Sequence, residues 1–263
     1  VEDCHPSQCH CSTRAVSLRS GARSPTNPGW EIIGGWEAKP HSRPYMAYLN
    51  IKHGNKNYNC GGFLVSENFV LTAAHCNGDK ITVTLGAHNI RENERSQQVI
   101  RTFRQFSHPD YDNQPHNNDI MLLQLAQKAK LNKWVRPITL PFAKQRVKPG
   151  TKCSVAGWGR IRANDDKSAS DKLQEVNVEV LKDGQCLNNP NGAYKNYNST
   201  TMLCAGDSKE KKDSAKGDSG GPLVCGKRAL GIVSWGPYFP PGVYTKISTF
   251  IPWIQETMKR LQP

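Results

Sequence analysis

Apolar residues in this chain come in short β-rich runs punctuated by glycine and proline, a pattern that excludes a helical bundle and calls for closed or stacked antiparallel sheets. A first set occupies residues 45–51, 62–65, 69–73, 81–85 and 120–125. After Pro149-Gly150 a second set follows at 153–159, 173–180, 222–225, 229–235 and 242–246. Valine, isoleucine, threonine and aromatic residues suit a pleated, half-buried surface. Two clusters of such strands predict two barrels or sandwiches packed together. One helix is expected, at the end, where Ile247, Ile251, Ile254, Met258 and Leu261 recur at helical spacing behind a Ser248 or Thr249 cap, with Pro252 in the first turn.

The length of 263 residues is enough for a large domain or two halves sharing an interface. No apolar run approaches the roughly eighteen residues that cross a bilayer, so no membrane span is expected. A net charge of +13 favours polyanions in general. There is no dense basic helix, aromatic-basic signature or zinc-finger spacing, which argues against dedicated nucleic-acid binding.

Of nine cysteines, six are spread through the body at Cys60, Cys76, Cys153, Cys186, Cys204 and Cys225, an even set that predicts three disulfides and an oxidising compartment. Cys4, Cys9 and Cys11 crowd into residues 1–31, a stretch without apolar periodicity that is expected to be disordered. A Cys-His-Cys metal site there lacks partner spacing, so no metal or cofactor is expected. The Asn198-Ser199-Thr200 triplet marks Asn198 as a candidate glycosylation site and agrees with secretion, a signal segment then lying upstream of residue 1 unless residues 1–31 are not the native start.

Three local patterns carry chemistry. In Gly217-Asp218-Ser219-Gly220-Gly221-Pro222 the glycines let backbone amides approach a reacting atom, making Ser219 a candidate nucleophile. His75, in Thr72-Ala73-Ala74-His75-Cys76, ends an apolar strand and is the candidate base. Asp119, in Asn118-Asp119-Ile120-Met121-Leu122, stands at the mouth of another strand, where a buried acid needs a hydrogen-bonding partner such as an imidazole.

Together with Ile32-Ile33-Gly34-Gly35 ahead of them, these motifs resemble the chymotrypsin-like serine proteases over residues 32–263. Residues 37–47 are similar to the granule-protease branch of granzymes, chymase and cathepsin G. The resemblance implies an all-β fold of two packed six-stranded antiparallel barrels with a C-terminal helix, the subdomain boundary falling near 135–150. It implies Ser219 as nucleophile, His75 as general base and then acid, Asp119 holding the imidazole tautomer, and the amides of Gly217 and Ser219 as oxyanion hole. It pairs Cys60 with Cys76, Cys153 with Cys225 and Cys186 with Cys204. It also implies that cleavage between Glu31 and Ile32 frees an amino group to pair with Asp218, so that the chain with residues 1–31 attached is a zymogen. Trp30-Glu31 departs from the usual Gly-Glu activation dipeptide of that branch.

The residue six before the nucleophile floors the specificity pocket in this family. Here it is Asp213, next to Ser214, and a buried anion there would prefer Lys or Arg before the cleaved bond. Ser234, Trp235 and Gly236 match the substrate-pairing strand, and Gly236 and Gly242 leave room for a long side chain. The other reading of Asp213 is the end of the solvated run Lys209–Lys212, which would leave a chymase-like or other specificity. Lys216 either favours acidic residues after the cleaved bond or is simply solvated. Basic clusters at Lys128, Lys130, Lys133 and Arg136, and at Lys144, Arg146 and Lys148, fit storage on a sulfated glycosaminoglycan or proteoglycan. Resemblance adds protein or peptide substrates, serpin-type inhibitors, and a secreted or secretory-granule location. The rival from another class is an inactive, polyanion-binding or antimicrobial homologue, against which an intact His75, Asp119 and Ser219 argue.

Overall fold

Side-chain alternation decides which face of each strand turns inward, and in this chain it closes two barrels. The computed structural model describes residues 35–114, 116–161, 168–188, 192–207, 217–236 and 240–261. Segment 1–31 with Cys4, Cys9 and Cys11, the expected activation residues Glu31 and Ile32, and the expected pocket residues Asp213, Ser214 and Lys216 lie outside the described residues.

A short strand β1 (Trp36–Glu37) precedes β2 (Met46–His53), β3 (Lys56–Ser66), β4 (Phe69–Thr72), β5 (Lys80–Leu85), β6 (Gln98–Ser107) and β7 (Met121–Leu125). The last six form a closed barrel in the order β2-β3-β4-β7-β6-β5. Leu49, Ile51, Phe63, Phe69, Leu71, Val83, Leu85 and Leu122 fill it.

The second barrel is built from β8 (Lys152–Gly157), β9 (Gln174–Val180), β10 (Met202–Gly206), β11 (Pro222–Cys225), β12 (Arg228–Trp235) and β13 (Gly242–Lys246), with a short helix α1 (Asp183–Leu187) between β9 and β10. Its strands run β9-β10-β13-β12-β11-β8, and pairing of β8 with β9 closes the ring. Val155, Val176, Leu223, Val233 and Tyr244 are packed inside. β1 adds to β9, where Trp36 Nε1 and Arg43 Nε both donate to the Glu175 carboxylate at 3.0 and 2.7 Å. The start of the described chain is thereby tied to the second barrel.

The closing helix α2 (Ile247–Leu261) follows the second barrel, touches its strand β12, and packs on the first barrel as well. Ile247, Phe250, Ile251 and Ile254 join a core that first-barrel residues share with Val224, Ala229 and Ile232 of the second barrel, and the His108 ring meets Phe250 and Trp253 at 5.2 Å each. Burial of each large aliphatic side chain contributes about 1.5–3 kcal/mol, so α2 straps the two barrels together. No described helix is long and apolar enough to cross a membrane.

The structure differs from the sequence reading in several places. A second helix, α1, is present where only the closing one was expected; at five residues it is too short to show a repeating apolar face. β6 and β10 were not expected as strands. β6 mixes charged residues among its apolar ones and leaves Val99 and Phe103 exposed, while β10 is a fully buried five-residue run without a β-branched side chain. The helix starts at Ile247, so Ser248 and Thr249 lie inside it and do not cap it; the Thr249 hydroxyl donates to Thr200 O at 2.7 Å. Pro252 therefore sits beyond the first turn and withholds the amide that Ser248 O would receive. Lys144 N donates to that carbonyl instead, at 3.0 Å.

Candidate active site

The candidate residues converge where the two barrels meet. β4 delivers Thr72 at its end, the chain passes through extended Ala73, and a single 3-10 turn, Ala74–Cys76, carries His75. Two ties fix this turn to β3: the Thr72 hydroxyl donates to Gly61 O at 2.8 Å, and Cys76 is disulfide-bonded to Cys60. The His75 side chain stays 22% exposed.

Asp119 lies just ahead of β7, separated from it by Ile120, and is 1% exposed. Its Oδ1 accepts from His75 N at 2.9 Å, and its Oδ2 lies 2.7 Å from His75 Nδ1. The second barrel supplies the rest: the Ser234 hydroxyl on β12 donates to Oδ2 at 2.6 Å, and the Thr245 hydroxyl on β13 donates to the Asp119 main-chain carbonyl at 2.7 Å. Burial alone would raise this carboxyl, but the charge and hydrogen bonds of His75, with the Ser234 hydroxyl, outweigh it and hold the group below its ordinary value. An ionised Asp119 accepts from Nδ1–H and leaves the Nε2 lone pair of His75 available to take a proton.

Ser219 lies in a turn clamped from both sides. Gly61 N of the first barrel donates to Ser219 O at 2.7 Å, while Gly220 N donates to Val233 O of the second at 2.8 Å. Cys76 Sγ is 3.7 Å from the same Ser219 carbonyl, which sets the serine turn directly against the histidine turn. Gly217 and Gly220 have φ of 103° and 82°, a region open to glycine. A Cβ on Gly220 would stand 2.1 Å from the Thr72 hydroxyl and 2.5 Å from Gly61 O, so only glycine permits this approach. Asp218 is fully buried and accepts from Gly159 N at 2.8 Å.

Beyond the serine, Trp235 pairs with Val243, and a Cβ on Gly236 would be 3.3 Å from the Gly242 Cα. The two glycines expected as pocket walls thus face each other. The Trp235 ring lies 6.0 Å from Tyr194, whose hydroxyl donates to Pro241 O at 2.6 Å.

A trypsin family profile matches residues 32–254, which span the histidine, aspartate and serine turns and both glycine walls. The chain belongs to the trypsin family. Among individual relatives, mast cell protease 3 of Ovis aries is 54% identical over 239 residues, covering 90% of this chain and 93% of that protein. Granzyme H of Homo sapiens is 54% identical, covering 88% and 92%, and cathepsin G of Homo sapiens is 50% identical, covering 87% and 88%. A solved structure, "Structure of GrC", superposes with a TM-score of 0.81 at 48% identity, covering 87% of this chain and all of that one. This trypsin-family chain is accordingly a serine endopeptidase of the granzyme, chymase and cathepsin G branch.

Among the described residues three disulfides brace the trypsin-family fold: Cys60 with Cys76, Cys153 with Cys225 and Cys186 with Cys204. Asn198 is exposed, with its Oδ1 accepting from Thr200 N at 3.0 Å. Sequence reasoning had assigned Ser234 only to the substrate strand and had no place for Thr245 or His116. Ser234 and Thr245 reach Asp119 across 115 and 126 residues, a relation that no local motif encodes. His116, beside the His75 ring at 5.8 Å, was not singled out either.

Proposed function

We propose that Ser219, His75 and Asp119 act as nucleophile, general base and orienting acid of peptide-bond hydrolysis, with the amides of Gly217 and Ser219 binding the oxyanion. The observation that carries this reading is the Asp119 carboxylate, buried, ionised and shared between His75 and Ser234, next to a serine turn clamped by both barrels. His75 takes the serine proton as the hydroxyl attacks the carbonyl and returns it to the leaving amine. Asp119 keeps the Nδ1–H tautomer in place and stabilises the imidazolium that forms.

We further propose that the enzyme cleaves after Lys or Arg, Asp213 pairing with the substrate cation at the pocket floor, and that cleavage between Glu31 and Ile32 activates it through the new amino group and Asp218. Facing glycines at 236 and 242 support a deep pocket, and the activation reading is supported by the position of Asp218, fully buried beside the serine turn with its carboxylate accepting from Gly159 N. Sulfated glycan is the proposed storage partner. Supporting it, Lys144 and Arg146 line, with Lys246, a cavity of about 500 Å³ on the surface between β9, α2 and the 144–149 segment. Serpin-type inhibitors and a secreted or granule location are proposed on family grounds, as is glycosylation of Asn198.

The test starts the chain at Ile32 and compares peptides carrying Arg, Lys, Phe, Leu or Asp before the cleaved bond. Cleavage after Arg and Lys, lost on Asp213→Ser, is expected. Cleavage only after Phe or Asp contradicts the assignment of Asp213.

A further inference from the structure

His116 stands in the loop leading to Asp119, its ring centroid 5.8 Å from that of His75 with the planes at 72°. Its backbone is held at φ 61°, unusual for a residue with a side chain, beside an Asp112–Asn117 bridge whose hydrogen bond is 3.1 Å. The Nδ1 atom of His116 is buried and makes no hydrogen bond among the described residues. A buried imidazole nitrogen without a partner is costly to keep and invites a ligand.

The surroundings define that ligand's chemistry. One donor atom from each of His75, His116 and Asp119 lies within 4.8 Å of the others. Zinc binds imidazole nitrogen at about 2.0–2.1 Å, which places two imidazole centres sharing one tetrahedral ion roughly 5–5.5 Å apart. The observed 5.8 Å therefore needs only a small turn of one ring. Asp119 already accepts from Nδ1 of His75, the carboxylate–histidine arrangement that steadies a metal-bound imidazole and directs Nε2 to the ion. Cys60 and Cys76, the sulfur atoms beside His75, are bonded to each other and offer no thiolate.

We propose that His75 and His116, backed by Asp119, form an inhibitory site for a borderline divalent metal, zinc foremost. The ion occupies the Nε2 lone pair that His75 needs for the serine proton, so binding and turnover exclude each other. Two imidazoles leave the remaining positions to water, which makes the site reversible and unlike a closed structural zinc centre. The inhibition rests on the role assigned to His75 above; the binding does not.

Two measurements test the proposal. Zinc chloride is titrated calorimetrically into the full chain carrying Ser219→Ala, and into the same chain with His116→Asn, a residue that tolerates positive φ. Loss of one binding event, or weakening by about tenfold or more, is expected from the second substitution. In parallel, zinc, magnesium and calcium are titrated against peptide hydrolysis by the chain starting at Ile32. Zinc alone should inhibit, with the half-inhibitory concentration raised about tenfold or more by His116→Asn. Equal zinc binding, or equal zinc inhibition, with and without His116 overturns the proposal. Zinc binding through His116 in a chain that cleaves no peptide supports the metal site while contradicting the protease mechanism.

Discussion

Replacing Ser234 by alanine removes one of three hydrogen bonds to the Asp119 carboxylate and leaves the two from His75. The bond is 2.6 Å long and its acceptor is ionised and 1% exposed, so water cannot replace the lost donor. A hydrogen bond to a charged group contributes about 1.5–3 kcal/mol, which is the expected loss of unfolding free energy at neutral pH. Thr245→Val is the control, because Thr245 donates to the uncharged carbonyl of the same residue and its loss should cost about 0.5–1.5 kcal/mol. The two differ in pH dependence. Asp119 is held below its ordinary value in the folded chain, so its stabilisation is complete above the unfolded carboxyl value of about 3.9 and is lost as pH falls through the folded value. Ser234→Ala raises the folded value, and its deficit should shrink as pH is lowered from neutrality through the carboxylate range. That of Thr245→Val should stay constant. Urea unfolding of the disulfide-intact chains across pH reads both. Equal deficits for the two variants, or a Ser234→Ala deficit independent of pH, would refute the view that Ser234 holds the charge of Asp119.

The remaining predictions concern the frame around the site. Gly159→Ala would place a Cβ 2.6 Å from the Asp218 carboxyl carbon in a fully buried setting; overpacking should cost about 1–3 kcal/mol in a melting experiment and, by displacing Asp218 from the serine turn, lower kcat more than KM. The Cys153–Cys225 bridge closes a separation of 72 residues against 18 for Cys186–Cys204, so replacing the first pair by alanine should cost about 1 kcal/mol more in denaturant unfolding than replacing the second. Equal costs would argue against a chain-entropy origin.

The two-barrel fold was legible because strand runs, turn residues and motif order agreed with one another. β6 escaped because a strand open to solvent on one face carries Arg101 and Arg104 among its apolar residues and loses clean alternation. The helix start was misplaced for a different reason. Ser248 and Thr249 have the chemistry of caps, yet Thr200 O claims the Thr249 hydroxyl and Lys144 N satisfies the carbonyl that Pro252 leaves open. At the site, His75, Asp119 and Ser219 each sit in a local pattern that can be read alone. Ser234, Thr245 and His116 do not, since their relation to Asp119 and His75 exists only once the second barrel and the 108–118 loop are folded against the first.

The proposed activation of Ser219 by His75, once the chain begins at Ile32, is tested most directly by an acylating fluorophosphonate probe followed by peptide mass mapping. Stoichiometric labelling at Ser219 in the chain starting at Ile32, with little labelling of the chain that retains residues 1–31 and none after His75→Ala, is the predicted result. Labelling at another residue, or at Ser219 with equal rate in all three proteins, would contradict it.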